Sequence, residues 1–201
     1  FGFASIIKNG LSPVRLAIIG TVIGTFISSI GTAIAMYRQI SQTITMWYNS
    51  KVHMVEMELI YLCVPIGIIG LILAISLARA VTITALGEDV AVGLGQNTRI
   101  VKLLSMLAVA ILTGTAVALV GKIAFVGLIV PHIVRMLVGV DYRVIIPCSA
   151  VMGAFFLSGC DLISRYINFP FETPIGVVTA LIGVPFFLYL IRRKGGEKYA
   201  A

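Results

Sequence analysis

The acidic residues best placed to do chemistry open a polar stretch at residues 86–102, which separates two long apolar runs. Gly87 and Gly95 enclose a segment of one or two helical turns, and Glu88 and Asp89 fall in its first turn. Carboxylates suit that position because the N-terminal end of a helix carries a partial positive charge. The pattern predicts a short helix rather than an irregular loop.

This short segment, 86–97, also has one apolar face, formed by Val90, Ala91 and Leu94. A helix this brief is not stable alone in water, so it needs a surface on which to dock. A solvated connector between two membrane spans fits the spacing equally well. Both interpretations stay open on spacing alone.

A second polar group, His132 and Arg135, follows Pro131 inside an apolar stretch. Polar groups at membrane depth are costly unless they face protein or water. We favour a position near the lipid headgroups, where the Arg135 side chain can extend to the surface.

A third candidate is the pair Asp161 and Arg165, spaced i, i+4 with the acid first, which is the favourable order on a helix. We favour a structural ion pair over a transport role.

Catalytic signatures are missing from the sequence. Gly121-Lys122 is followed by Ile123 rather than Ser or Thr, so there is no Walker A motif. No zinc-protease or serine-hydrolase motif occurs, and the 3 cysteines show no metal-ligand spacing. We predict a non-enzymatic chain that binds no cofactor or metal directly. If transport is driven by ATP, a partner subunit hydrolyses it.

Composition points to the membrane. The sequence is 59% hydrophobic and 11% charged, with a mean hydropathy of +1.08. The net charge of +7 is concentrated at the ends of apolar runs, which is typical of membrane topology rather than of nucleic-acid binding. We predict an all-α polytopic protein in contact with lipid.

Six uncharged or nearly uncharged stretches have about the length needed to cross a bilayer. We predict spans at 16–37, 59–78, 103–121, 123–140, 144–165 and 175–191. They form one membrane domain over residues 1–201. Because the chain begins with Phe1 and shows no signal peptide, we expect it to be incomplete at its N-terminus.

The basic residues predict the orientation. With six alternating spans, one side carries eleven lysines and arginines, including Arg79, Arg99 and Lys102, and the other carries four. The richer side is expected to be cytoplasmic. This places both the 86–97 segment and the C-terminus in the cytoplasm.

Four motifs resemble, in order and spacing, the FecCD family of bacterial ABC importer permeases for ferric siderophores, haem and cobalamin. They are Leu86-Gly-Glu-Asp-Val-Ala-Val-Gly-Leu-Gly95, Phe125-Val-Gly-Leu-Ile-Val-Pro-His-Ile-Val-Arg135, Asp161-Leu-Ile-Ser-Arg165 and the run from Phe171 to Leu190. Lys122 and Asn49 depart from the family pattern, in which proline and glycine are common at those positions.

The resemblance implies a ten-span permease of which these six spans are the C-terminal part. It implies a second permease, identical or paralogous, two cytoplasmic ATP-binding subunits and an extracytoplasmic substrate-binding lipoprotein or periplasmic protein. The implied location is the bacterial cytoplasmic membrane, and the implied mechanism is alternating access driven by closure of the ATPase.

The resemblance also assigns roles to residues. Those matching the segment that inserts into the ATPase are Gly87, Glu88, Ala91, Leu94 and Gly95. Those matching permease motifs with a structural role are Pro131, His132, Arg135, Asp161 and Arg165. We expect a ferric siderophore as substrate, with haem or cobalamin as alternatives within the family. A secondary transporter and a structural membrane subunit are alternatives of another class.

Overall fold

The computed structural model describes residues 13–48, 55–167 and 173–198. The regular secondary structure in these residues is helical. Side chains are described there except at residues 13–17, 46–48, 191 and 193–198. The helices form two compact units that divide between Met46 and Trp47.

The first unit contains α1 (Pro13–Tyr37) and most of α2 (Ser41–Tyr48). Hydroxyl side chains along the apolar α1 donate hydrogen bonds to carbonyls one turn earlier, for example Thr25 to Thr21 and Ser29 to Thr25. These bonds satisfy polar groups that would otherwise be costly in a lipid environment.

The second unit contains six helices: α3 (Met57–Ala85), α4 (Glu88–Gly93), α5 (Thr98–Val120), α6 (Val126–Val138), α7 (Tyr142–Tyr166) and α8 (Ile175–Lys198). By length and composition, four helical segments of the described chain could cross a membrane: Ile18–Tyr37, Met57–Ala85, Thr98–Val120 and Tyr142–Tyr166. Two shorter apolar segments, Val126–Val138 and Ile175–Leu190, accompany them.

The stretch predicted as a span at 123–140 forms a shorter helix than expected. Helix α6 has 13 residues and therefore rises about 20 Å, less than the roughly 30 Å of a bilayer core. It runs through Pro131 without ending there, and the interruption of the apolar stretch lies earlier in the chain. Gly121 and Phe125 have positive φ values of 74° and 66°, and the residues between them are not helical.

Helix α3 is longer than its predicted span at 59–78, because it continues past Arg79 to Ala85. A charged residue ends the apolar stretch without breaking the helix. The hydroxyls of Thr82 and Thr84 donate to the carbonyls of Ala78 and Ala80 within this extension. The helix stops only before Gly87, whose φ of 135° is not helical.

Helices α3 and α5 make the most extensive helix contact of the second unit. Gly70 permits it, because a Cβ at this position would lie 2.8 Å from Cγ2 of Ile111 and 3.1 Å from Cγ of Leu112. The close approach therefore uses a glycine of α3. Gly114 of α5 lies away from this contact, since a Cβ there would meet nothing within 4 Å.

We expect Gly70→Ala to lower the free energy of unfolding by about 1–3 kcal/mol, because the added methyl forces α3 and α5 apart. Thermal unfolding of the purified complete permease measures this. Gly67→Ala is the matched control, since its Cβ would meet Oγ1 of Thr115 at an ordinary 3.8 Å. Equal stability of the two variants would contradict the expected packing.

Two buried apolar clusters hold α6, α7 and α8 together. Val130, Val134 and Ile145 form one, and Cys160, Ile175 and Val178 form the other. Partly buried side chains pack against each cluster, and that of Phe156 packs against both. All three cysteines are free thiols, two of them buried.

The non-helical segment before α6 packs on α8 through two glycines of that helix. A Cβ at Gly176 would lie 3.5 Å from the carbonyl oxygen of Lys122. A Cβ at Gly183 would lie 2.5 Å from Cβ and Cγ of Phe125. The glycines make room on α8 for this segment.

Candidate functional site

The short helix predicted after Gly87 is present as α4, six residues from Glu88 to Gly93. Gly87 adopts φ 135° and ψ 143°, a conformation open mainly to glycine, and so lets the chain turn from α3 into α4. Gly95 adopts φ 78° just after the helix. There the amide of Gly95 donates to the Val92 carbonyl and the amide of Gln96 donates to that of Ala91.

The apolar face predicted for α4 divides in two. Ala91 is completely buried, whereas Val90, Val92 and Leu94 are exposed. A small side chain at Ala91 lets the helix lie close against its neighbours, while three larger apolar side chains remain uncovered within this chain. Exposed apolar groups on a short, anchored helix are typical of a contact surface for another protein.

The first residue of α4 is tied to the start of α5. Nζ of Lys102 lies 2.7 Å from Oε2 of Glu88, and the Thr98 hydroxyl donates to Oε1 of Glu88 at 3.3 Å. Asn97 caps α5 by accepting a hydrogen bond from the amide of Ile100 at 3.3 Å. Glu88 thus has a specific partner as well as its favourable place at a helix N-terminus.

The Lys102 partner lowers the pKa of the Glu88 carboxyl, first through the hydrogen bond and then through its charge. Desolvation opposes this shift, and the Thr98 hydrogen bond adds a smaller lowering of the pKa. Because this pKa is lowered in the folded state, the Glu88–Lys102 contact stabilises the fold at pH values above the ordinary glutamate pKa. This stabilisation is lost as the pH falls through the lowered value.

We expect Lys102→Gln to raise the pKa of Glu88 towards the ordinary value of about 4.3. A carbon NMR titration of the labelled Glu88 carboxyl in the purified permease measures it. Arg99→Gln removes a positive charge from the first turn of α5 without removing this hydrogen bond and serves as control. An unchanged Glu88 pKa in Lys102→Gln would contradict the ion pair.

Gln96 was not predicted as a functional residue, yet it joins the end of α4 to α3. Its Nε2 donates to the Ala80 carbonyl at 2.9 Å and to Oγ1 of Thr84 at 3.1 Å. The available sequence signal was weak, consisting of an amide residue beside the Asn97 cap between two helix ends.

A second unpredicted contact joins α3 to the start of α7. The Thr82 hydroxyl lies 3.2 Å from Oδ1 of Asp141 and accepts a hydrogen bond from the amide of Tyr142 at 3.0 Å. Asp141 also accepts a bond from the amide of Arg143 and so caps α7. The end of α3 and the start of α7 therefore lie on the same side, as alternating spans require.

His132 and Arg135, in the motif around Pro131, contact different helices. The Arg135 guanidinium donates to the Tyr142 hydroxyl and lies 5.1 Å from the centroid of that ring. The His132 ring meets Phe186 edge-on, with centroids 6.4 Å apart. Arg135 thus belongs to the α7 junction, whereas His132 packs against α8.

The predicted pair of Asp161 and Arg165 is present on α7. The Arg165 side chain contacts Oδ2 of Asp161 through Nε at 3.0 Å and through a terminal nitrogen at 2.9 Å. The pair lies at the opposite end of α7 from Tyr142 and so belongs to a different site from α4. Within the described residues, no group of three or more acidic, histidine or cysteine side chains could hold a metal.

Comparison with known proteins identifies the family. Residues 1–193 match the FecCD transport family. The chain belongs to this family. It is 56% identical over 198 residues to the iron-uptake system permease protein FeuB of Bacillus subtilis (strain 168), covering 98% of this chain and 59% of that protein. It is 52% identical over 193 residues to the iron(3+)-hydroxamate import system permease protein FhuB of the same organism, covering 96% and 50%.

A solved structure of a metal-chelate type ABC transporter in an inward-facing conformation has the same fold. The TM-score is 0.79 at 27% identity, over 90% of this chain and 60% of that one. The predicted all-helical permease fold is thereby confirmed, and this member of the FecCD family is a multi-pass membrane protein. The chain spans between half and three-fifths of the length of these relatives.

Proposed function

We propose that this chain is the C-terminal part of a membrane permease that imports ferric siderophores with energy from a separate ATPase. The observation that carries the proposal is α4. It is a short helix tied to α5 through Glu88 and to α3 through Gln96, with exposed apolar side chains at Val90, Val92 and Leu94.

The coupling of ATP binding to movement of the permease depends on these residues of α4. The exposed side chains of α4 enter a cleft of the ATPase, where burial of each contributes at most about 1.5–3 kcal/mol. ATP binding closes a pair of ATPase subunits and displaces α4. A ligand shifts a conformational equilibrium only by differential contact with two states, so α4 must contact the two ATPase states differently. The helices then tilt, and substrate passes between two permeases.

The proposed substrate class is inferred from the names of the similar proteins. FeuB and FhuB are named for iron uptake and for iron(3+)-hydroxamate import, and both exceed 50% identity with this chain. This favours a ferric siderophore over haem or cobalamin. A substrate-binding protein on the outer side would deliver it, and α4 and the C-terminus would face the cytoplasm of the bacterial cell.

Co-purification tests the proposal. The complete permease, isolated in mild detergent, is expected to carry ATP-binding subunits, and Leu94→Ser is expected to lose most of them. Leu162→Ser is the control and is expected to keep them, because Leu162 is also exposed (58% against 68% for Leu94) but lies beside Asp161, in a different site from α4. A folded permease without any ATPase would contradict the proposal and favour a secondary transporter or a structural subunit.

A further inference from the structure

Two polar side-chain contacts attach α4 to its neighbours, and they differ in chemistry. The Glu88 and Lys102 side chains are 58% and 41% exposed, so their ion pair is screened by water and salt and holds α4 less rigidly than a shielded contact does. The Gln96 amide, in contrast, makes two hydrogen bonds that are partly buried. Hydrogen bonds shielded from water hold their geometry better than exposed ion pairs.

The Gln96 contact joins two helix ends. Its backbone amide donates to the Ala91 carbonyl of α4 at 3.0 Å, while both hydrogens of its side-chain amide have acceptors on α3. The Thr84 hydroxyl, one of these acceptors, itself donates to the Ala80 carbonyl at 2.9 Å. One residue thus fixes the end of α4 to the last turns of α3 through a closed set of hydrogen bonds.

The direct backbone path from α3 to α4 is less suited to carry a displacement. It runs through Gly87, which lacks a Cβ and has φ 135°. Glycine permits many backbone conformations, so it can act as a joint between the two helices. A side-chain contact that bypasses this joint makes α3 and α4 move together.

We propose that Gln96 is the positioning residue through which displacement of α4 reaches α3. This inference rests on the proposed function, since it requires an ATPase that moves α4. From α3 the displacement continues to α7, because Thr82 contacts Asp141 and Tyr142.

The test uses the complete permease, assembled with its ATPase and binding protein in proteoliposomes. Gln96→Glu keeps the shape of the side chain but replaces its donors with acceptors that face the Ala80 carbonyl. We expect substrate uptake per ATP hydrolysed to fall roughly tenfold. Complex yield and ATP hydrolysis without substrate stay within about twofold, which a purely structural defect would not allow. Gln42→Glu makes the same change at an exposed position and leaves all three readouts unchanged.

If the Gln96→Glu permease fails to assemble, two variants of Thr84 test the role proposed for Gln96. Thr84→Val removes one acceptor and lowers uptake per ATP, whereas Thr84→Ser keeps the hydroxyl and restores it. Wild-type uptake per ATP in Gln96→Glu, or in Thr84→Val where the first variant fails, would overturn the inference. A wild-type complex that shows no ATP-driven uptake at all would instead overturn the proposed function.

Discussion

Replacing Glu88 with lysine is expected to abolish uptake while leaving the permease inserted in the membrane. The new cation would face Lys102, which now lies 2.7 Å from the Glu88 carboxylate, and would place positive charge at the N-terminus of α4. Both changes oppose the present arrangement, since like charges repel and a helix N-terminus favours an anion. Uptake of labelled substrate, with the level of permease in isolated membranes, measures the two effects separately.

Two further variants separate the ion pair from the helix dipole. Asp89→Lys reverses a charge in the same turn and is expected to reduce uptake only partly, because the Glu88 contact remains. The double exchange Glu88→Lys with Lys102→Glu re-forms a pair of opposite charges and is expected to recover part of the uptake. Normal uptake by an inserted Glu88→Lys permease would contradict the role given to this residue.

Adding a single methyl group at Gly183 is expected to destabilise the whole α6–α8 region. The Cβ of Gly183→Ala would lie 2.5 Å from Cβ and Cγ of Phe125, closer than real contacts allow. Phe125 cannot easily yield, because its backbone is already in the left-handed region with φ 66°. We expect the free energy of unfolding to fall by about 1–3 kcal/mol. The unfolding temperature should fall by about 2–4 °C for each kcal/mol.

Gly153→Ala is the control for this variant, since its Cβ would contact Cγ1 of Val130 at an ordinary 3.9 Å. Adding Phe125→Gly to Gly183→Ala removes the clashing ring and suits the left-handed backbone, so it should restore part of the stability. If Gly183→Ala and Gly153→Ala unfold at the same temperature, the close packing of this segment on α8 is wrong.

The helices could be predicted because apolar length is a direct physical requirement of the bilayer. Their ends were less predictable. Arg79 closes an apolar stretch but does not stop α3, which continues to Ala85. The shortening of α6 depends on the backbone of Phe125, and nothing in a phenylalanine side chain signals a left-handed conformation.

Only part of the candidate site could likewise be predicted from the sequence. Glycines at both ends and acids in the first turn predicted α4, because these are local effects of backbone freedom and helix dipole. The contacts that position it join residues distant in sequence: Gln96 and Ala80 are 16 apart, and Thr82 and Asp141 are 59 apart. Such pairings depend on the folded chain, so no local pattern indicates them. The roles given to α4, Pro131, His132 and the α7 ion pair stay predictions.

Uptake of labelled ferric siderophores, haem and cobalamin by cells that lack the intact gene tests the central claim most directly. Complementation with the intact gene is the control. We predict that the cells lose uptake of one or more ferric siderophores, keep uptake of haem and cobalamin, and recover when the gene is returned. Unchanged ferric-siderophore uptake, with or without loss of the other two substrates, would contradict the account.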